Sequence, residues 1–176
     1  MKYFFILIYI VTIIILIFAF QTKKTENYLD KVSLSNLTFE GKMGQERFSK
    51  DASRVTIIIW FHPDCEICRY QLNIINENIE RFAKIRFFFI TADTNFFKHK
   101  YKAIWPDLLQ STYVSFGIID KSKFIDEFGP VVTPSLLLFD RKGILKEKRY
   151  GEVKVEKILY LINNISIPEK TISGSN

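Results

Sequence analysis

Cys65 and Cys68 are the only thiols in a chain of 176 residues, and both lie in the stretch IIIWFHPDCEICRYQL (57–72). Two residues separate them, and a run of β-branched and aromatic side chains precedes them. At this spacing on the first turn of a helix, the two sulfurs face the same side. The first sulfur is then exposed to the positive end of the helix dipole, which favours its thiolate. It can attack a disulfide, and the second sulfur is near enough to resolve the mixed disulfide that forms. With no other cysteine in the chain, neither thiol serves as a structural staple elsewhere.

Other uses of two thiols fit less well. A structural zinc site wants four ligands, and the sequence offers Cys65, Cys68, His62 and the distant His99, with no second CxxC. A copper carrier calls for wider cysteine spacing and some methionine, whereas only Met1 and Met43 occur. An inert buried pair conflicts with the flanking HPDCE, which is polar and belongs on a surface. No metal is expected. Nor is an organic cofactor, since no Gly-rich phosphate loop occurs. The redox group is the Cys65–Cys68 pair itself.

The elements that must position the pair are legible in the hydrophobic pattern. RVTIIIWF (54–61) is apolar without alternation, as in a central strand covered on both faces. From Cys65 the period becomes helical through Ile67, Tyr70, Ile74, Ile79 and Phe82, with Asp64 as the expected N-cap. IRFFFITAD (85–93) predicts a second buried strand. Phe97, Tyr101, Ile104 and Leu108 give a helical face, and Pro106 begins a new turn. PSLLLFD (134–140) predicts a third apolar strand, RKG a turn with Gly143 at positive φ, and ILKEKRYG (144–151) an alternating edge strand. Val153 to Ile165 is an amphipathic helix. Upstream, KVSLSNLTFEGK predicts two short strands or a hairpin ending at Gly41. The order is β-β, then β-α-β-α, then β-β-α: parallel strands joined by a helical crossover, followed by a hairpin and a helix.

Composition is that of a globular domain, with 48% apolar and 25% charged residues. The formal charge of +6 is spread along the chain rather than gathered in a block, so nucleic acid is not an expected partner. Tyr3 to Phe20 carries no charge and, as a helix, spans roughly 27 Å, near the thickness of a bilayer core. It is too long for a signal-peptide core, and FAFQT lacks a small-x-small cleavage pattern. The expected organisation is an uncleaved membrane anchor over 1–22, a linker over 23–29, one domain over 30–166 and a flexible tail over 167–176. Lys23, Lys24 and Lys31 after the apolar run place the domain in the cytoplasm by charge count. A single N-terminal anchor on a thiol-disulfide domain points instead to the extracytoplasmic or periplasmic side, which is the side expected here.

The strand IIIWF leading into CEIC, VVTPS about 65 residues on, and the closing LLLFDRKGILKEKRYG resemble the thioredoxin superfamily over roughly residues 30–165. The likeness is strongest to its membrane-anchored TlpA/ResA-like and redoxin-like members. The resemblance implies a thioredoxin fold, a central mixed sheet flanked by helices, here extended by an N-terminal hairpin and a transmembrane helix. It implies a thiol-disulfide oxidoreductase in which Cys65 attacks and Cys68 resolves. Thr133 and a cis Pro134 shape the substrate cleft, while Trp60, Phe61, His62, Pro63, Asp64 and Glu66 support or line the site. The expected partners are protein thiol or disulfide clients and a membrane-bound thiol donor of electrons.

Departures from the family pattern sharpen these expectations. Asp64 stands where thioredoxins carry Trp, and Ile59 replaces a buried carboxylate. Gln71 and Asn73 occupy the Glu and Pro positions of the CxxCxxExP pattern, leaving water, His62 or Glu66 to handle protons. His62 has the competing role of a loop cap. Asp64 and Glu66 place a carboxylate on each side of Cys65, which disfavours the thiolate and lowers the reduction potential, the behaviour of a reductant. Two rivals stand beside this one. A thiol peroxidase needs Thr or Ser three residues before its cysteine, where this chain has His62. A metal-binding or assembly module on the same fold is the other: its metal form lacks ligands, as above, and a module that only tethers a partner would need neither both cysteines nor Thr133-Pro134.

Overall fold

A computed structural model describes residues 2–34, 37–48, 53–98 and 104–166, with the side chains of the N-terminal helix given at 5–19 and 29. His99, Tyr101 and the expected tail over 167–176 lie outside the described residues.

Seven strands form one mixed sheet. They are β1 (Thr38–Gly41), β2 (Gly44–Arg47), β3 (Val55–Trp60), β4 (Ile85–Thr91), β5 (Val114–Ile118), β6 (Ser135–Phe139) and β7 (Leu145–Tyr150), in the spatial order β2-β1-β5-β4-β3-β6-β7. The helices are α1 (Lys2–Leu29), α2 (Glu66–Glu77), α3 (Pro106–Gln110), α4 (Lys121–Phe128) and α5 (Val155–Ser166). β3 pairs in parallel with β4 and antiparallel with β6, so the strand that delivers the cysteines lies inside the sheet.

The unbroken apolar runs reflect two covered faces. Ile57, Ile59, Phe87, Phe89, Leu136 and Leu138 enter one core beneath α2 and α5. Ile58, Trp60, Phe88, Leu137 and Phe139 enter the other, with Phe124 and Phe128 of α4. Each such side chain contributes about 1.5–3 kcal/mol by leaving water, and none of β3 is left to alternate with solvent. The thioredoxin-like α/β core expected from the sequence is present, with the mixed sheet flanked by helices.

Four details differ from the expected layout. The hairpin turns at Lys42–Met43, so its second strand is β2, while Val32–Leu34 instead lie along the start of β7 through a Ser33–Ile144 bridge. β5 and α4 are additional elements. β5 is short, and its Gly117 is required by a close approach, because a Cβ there would collide with the Phe39 ring. The residues read as a linker, 23–29, continue α1. The fourth difference is in α1 itself. Its described apolar side chains, 5–19, are all exposed. Among the described residues, no helix is long and apolar enough to cross a membrane.

The turn after β6 follows the expected design. Asp140 Oδ1 accepts from the Lys142 and Ile144 amides, both at 2.9 Å, and Gly143 takes φ 80°. A side chain there would be strained, whereas glycine is not.

Candidate active site

The cysteine loop is clamped from both faces of the sheet. Trp60, the last residue of β3, packs at 4.6 Å on Phe124. Phe61 extends the ladder by one bond, donating its amide to Ile90 O at 2.9 Å. Its ring meets Phe96 and Trp105 edge-on at 5.4 and 6.3 Å. Both aromatics are buried and Pro63 is buried beside them, so these three residues hold the loop rather than meet a client.

His62, Asp64 and Glu66 are exposed. His62 Nδ1 accepts from the Asp64 amide at 3.2 Å, and the Cys65 amide donates to His62 O at 3.1 Å. The imidazole thus caps its own loop, the less chemical of the two roles open to it. Asp64 is not the N-cap expected from the sequence. The helix begins one residue later, and Cys65 itself takes that position in extended conformation, its Sγ accepting from the Cys68 amide at 3.3 Å. The turn His62–Cys65 occupies Asp64, leaving the sulfur as the acceptor for the orphan amide at the helix start. Glu66 lies in the first turn, where a carboxylate complements the helix dipole.

The two thiols are unequal. Both are free; Cys65 is partly exposed and Cys68 is fully buried. Burial pushes the Cys68 thiol up to about 12, reinforced by its hydrogen bond with Cys65 and opposed by bonds from the His62 backbone amide and the Thr133 hydroxyl. Cys68 therefore keeps its proton at neutral pH, and only Cys65 reaches solvent.

Thr133 and Pro134 lead into the neighbouring strand at the same end of the sheet, where Ser135 pairs with Trp60. The Thr133-Pro134 peptide bond is cis, as the resemblance implied; Pro134 is buried and Thr133 exposed. The sequence reading gave Ser135 no role, yet it shapes this segment. Its buried hydroxyl accepts from the Val132 amide at 3.1 Å and donates to Val132 O at 2.6 Å, closing a turn around Thr133-Pro134. The side chains of Ile67 and Val132 are about half exposed and apolar, the former inside CEIC and the latter just before Thr133.

Gln71 and Asn73 do not handle protons. Gln71 is buried and bonded to Val153, and Asn73 Oδ1 accepts from the buried Trp105 indole at 2.7 Å. Among the described residues, no group of three or more His, Cys, Asp or Glu side chains could hold a metal ion.

Comparison with solved structures gives the fold. A thio-disulfide isomerase of Thermus thermophilus is similar at 14% identity and a TM-score of 0.60, covering 78% of this chain and 96% of its own. The pneumococcal exposed lipoprotein thioredoxin of Streptococcus pneumoniae is similar at 16% identity and 0.58, covering 74% and 99%. A peroxiredoxin-like protein of Aquifex aeolicus is similar at 12% identity and 0.59, covering 76% and 85%. No family model and no curated protein matches the sequence. The chain has a thioredoxin-like fold of the kind found in thiol-disulfide interchange proteins.

Proposed function

We propose that the chain is a membrane-anchored thiol-disulfide oxidoreductase that reduces protein disulfides outside the cytoplasm. The observation that carries the reading is the inequality of the two thiols. Cys65 is reachable at the helix start, and Cys68 is buried and protonated one turn behind it.

The Cys65 thiolate attacks one sulfur of a client disulfide. A Cys65–client bond forms, the client S–S bond breaks, and the departing thiolate takes a proton from water. Cys68 then gives up its proton and attacks Cys65 Sγ. The Cys65–Cys68 disulfide forms, the client is released as a second thiol, and two electrons have passed from protein to client. A membrane-bound dithiol donor returns the pair to the reduced state. Ile67 and Val132 offer apolar contacts to a client segment beside its cysteine, and Thr133 and Pro134 form the wall it lies against.

The anchor is read from the uncharged run Tyr3–Phe20 in the sequence and from the exposed apolar side chains at 5–19. The extracytoplasmic side is read from the thiol-disulfide domain behind such an anchor. The similarity to an exposed lipoprotein thioredoxin supports it.

Trapping tests the chemistry. With oxidised glutathione, Cys68→Ala accumulates a mixed disulfide at Cys65 that an added dithiol removes, and Cys65→Ala accumulates none. Equal trapping in both variants, or none in either, overturns the roles. The similarity to a peroxiredoxin-like protein keeps peroxidase chemistry as a second reading. Steady consumption of hydrogen peroxide with a thiol donor would establish that one instead.

A further inference from the structure

We propose that the end of the domain opposite the cysteines is a docking face for an anionic phospholipid surface, which holds Cys65 and Cys68 away from the bilayer. The inference rests on the reading of α1 as a membrane anchor.

Four basic side chains, Arg54, Arg81, Lys84 and Arg141, line a cavity of about 570 Å³, with Glu80 as the acid among its walls. They come from three separate places in the sequence, and the sheet gathers them. Arg54 precedes β3. The parallel register Val55–Ile85 sets Lys84 beside it, and the antiparallel register Thr56–Phe139 brings the turn containing Arg141 and Lys142 to the same end. Arg54 donates to Ala83 O at 3.1 Å and lies 3.8 Å over the Tyr113 ring, and Arg81 pairs with Glu156 at 3.4 Å. Those contacts hold the two guanidinium groups in place, while Lys84, Arg141 and Lys142 are exposed around them.

This is also the end at which the chain leaves α1. Leu34 donates its amide to Gly143 O at 2.7 Å, Leu145 donates to Val32 O at 2.9 Å, and Asp30 pairs with Lys146 at 2.7 Å. An embedded α1 therefore brings the basic end to the headgroups. Guanidinium and ammonium groups there meet phosphate oxygens, within the about 8 Å over which charge is felt at physiological salt. The cysteines lie at the far end of β3, about 20 Å of strand away. Asp64, Glu66, Asp93 and Asp120 are at that end and offset Arg69, Lys98, Lys121 and Lys123, so a negative surface meets no excess of positive charge there.

Lysine acylation of the full chain on vesicles, read by mass spectrometry, tests the proposal. Neutral phosphatidylcholine vesicles are compared with vesicles containing phosphatidylglycerol. Lys84 and Lys142 should react about fivefold more slowly on the anionic vesicles, with Lys121 and Lys123 changed by less than about twofold, and roughly 0.5 M salt should remove the difference. The paired reversal Lys84→Glu with Arg141→Glu should abolish protection of Lys142. Equal rates on both vesicles, or equal slowing of all four lysines, overturn the docking face. Flotation with neutral vesicles reads the anchor separately. If the chain floats but Lys84 is unprotected on the anionic vesicles, the face fails and the anchor stands. If the chain floats only with anionic vesicles and salt releases it, the anchor fails and the face stands. Flotation with neither overturns both.

Discussion

Gln71 and Val153 exchange two hydrogen bonds inside the protein. Gln71 Nε2 donates to Val153 O at 3.1 Å, and the Val153 amide donates to Gln71 Oε1 at 2.6 Å. The side chain is 1% exposed and ties α2, one turn beyond Cys68, to the segment between β7 and α5. A primary amide is suited to this position because it offers one donor and one acceptor in a single plane. A Glu in its place would handle protons but, ionised, would set an oxygen against the Val153 carbonyl.

Gln71→Glu is therefore expected to destabilise the fold by about 2 kcal/mol at neutral pH. Protonation restores a donor, and burial raises this carboxyl group when folded, so the loss shrinks as pH falls. Urea unfolding at pH 5 and pH 8 checks it, and an equal loss at both would show that the second hydrogen bond is unimportant.

Ser135 uses one hydroxyl to satisfy both backbone groups of Val132. Ser135→Ala leaves that amide and carbonyl without this partner and should cost about 1–2 kcal/mol. The same loss frees the segment carrying Thr133, so the rate of mixed-disulfide formation at Cys65 should fall severalfold. Unchanged stopped-flow rates with a model disulfide would detach Ser135 from the site.

The sequence carried the chemistry further than the layout. Cys65 and Cys68 stand out in the sequence by their type and spacing and Thr133-Pro134 only through the family resemblance, whereas β3, β4 and β6 are legible because continuous apolar runs need cover on both faces. α4 went unread although IIDKSKFIDEFG holds its signals: Asp120 accepts from the Ser122 and Lys123 amides, Phe124 and Phe128 fall one turn apart, and Gly129 ends it at φ 75°. Its eight residues are too short for periodicity to stand out. β5 was hidden for a different reason. VSFGI buries only its last three residues and pairs with strands distant in sequence, so tertiary contacts rather than local pattern define it. The N-cap was misplaced because a cysteine sulfur took a task usually given to an oxygen.

Lys148 should leave a signature in the pH dependence of stability. Its ammonium donates to Phe128 O at 2.8 Å, and burial lowers it from 10.5 to about 8. Below pH 8 the lysine is charged in both states, and the folded state carries the cost of burying that charge. Between about 8 and 10.5 the unfolded chain holds more protons, so stability rises with pH across that window and then levels. Lys148→Met should flatten the rise. Both chains are compared in a Cys65→Ser, Cys68→Ala background, because the buried Cys68 thiol acts with the opposite sign above pH 9. Urea midpoints that climb equally in both would rule the lysine out.

In the function proposed above, Asp64 and Glu66 bias the pair toward giving up electrons. Both carboxylates are exposed, one on each side of Cys65, and repel the negative charge that the reduced pair develops there. Solvent screens each of them, so each contributes at most about 1 kcal/mol. Neutralising both as Asp64→Asn with Glu66→Gln should favour the reduced form and raise the reduction potential by about 10–30 mV, where 30 mV corresponds to about 1.4 kcal/mol for a two-electron couple. The difference should contract at high salt, as a through-solvent effect must. Equilibration of the full chain with glutathione reads the potential directly. The wild-type pair is expected near or below about −250 mV, in the range of reductants. A value near about −120 mV would make the protein a disulfide donor. An unchanged or lower potential in the double variant would remove the two carboxylates from the explanation.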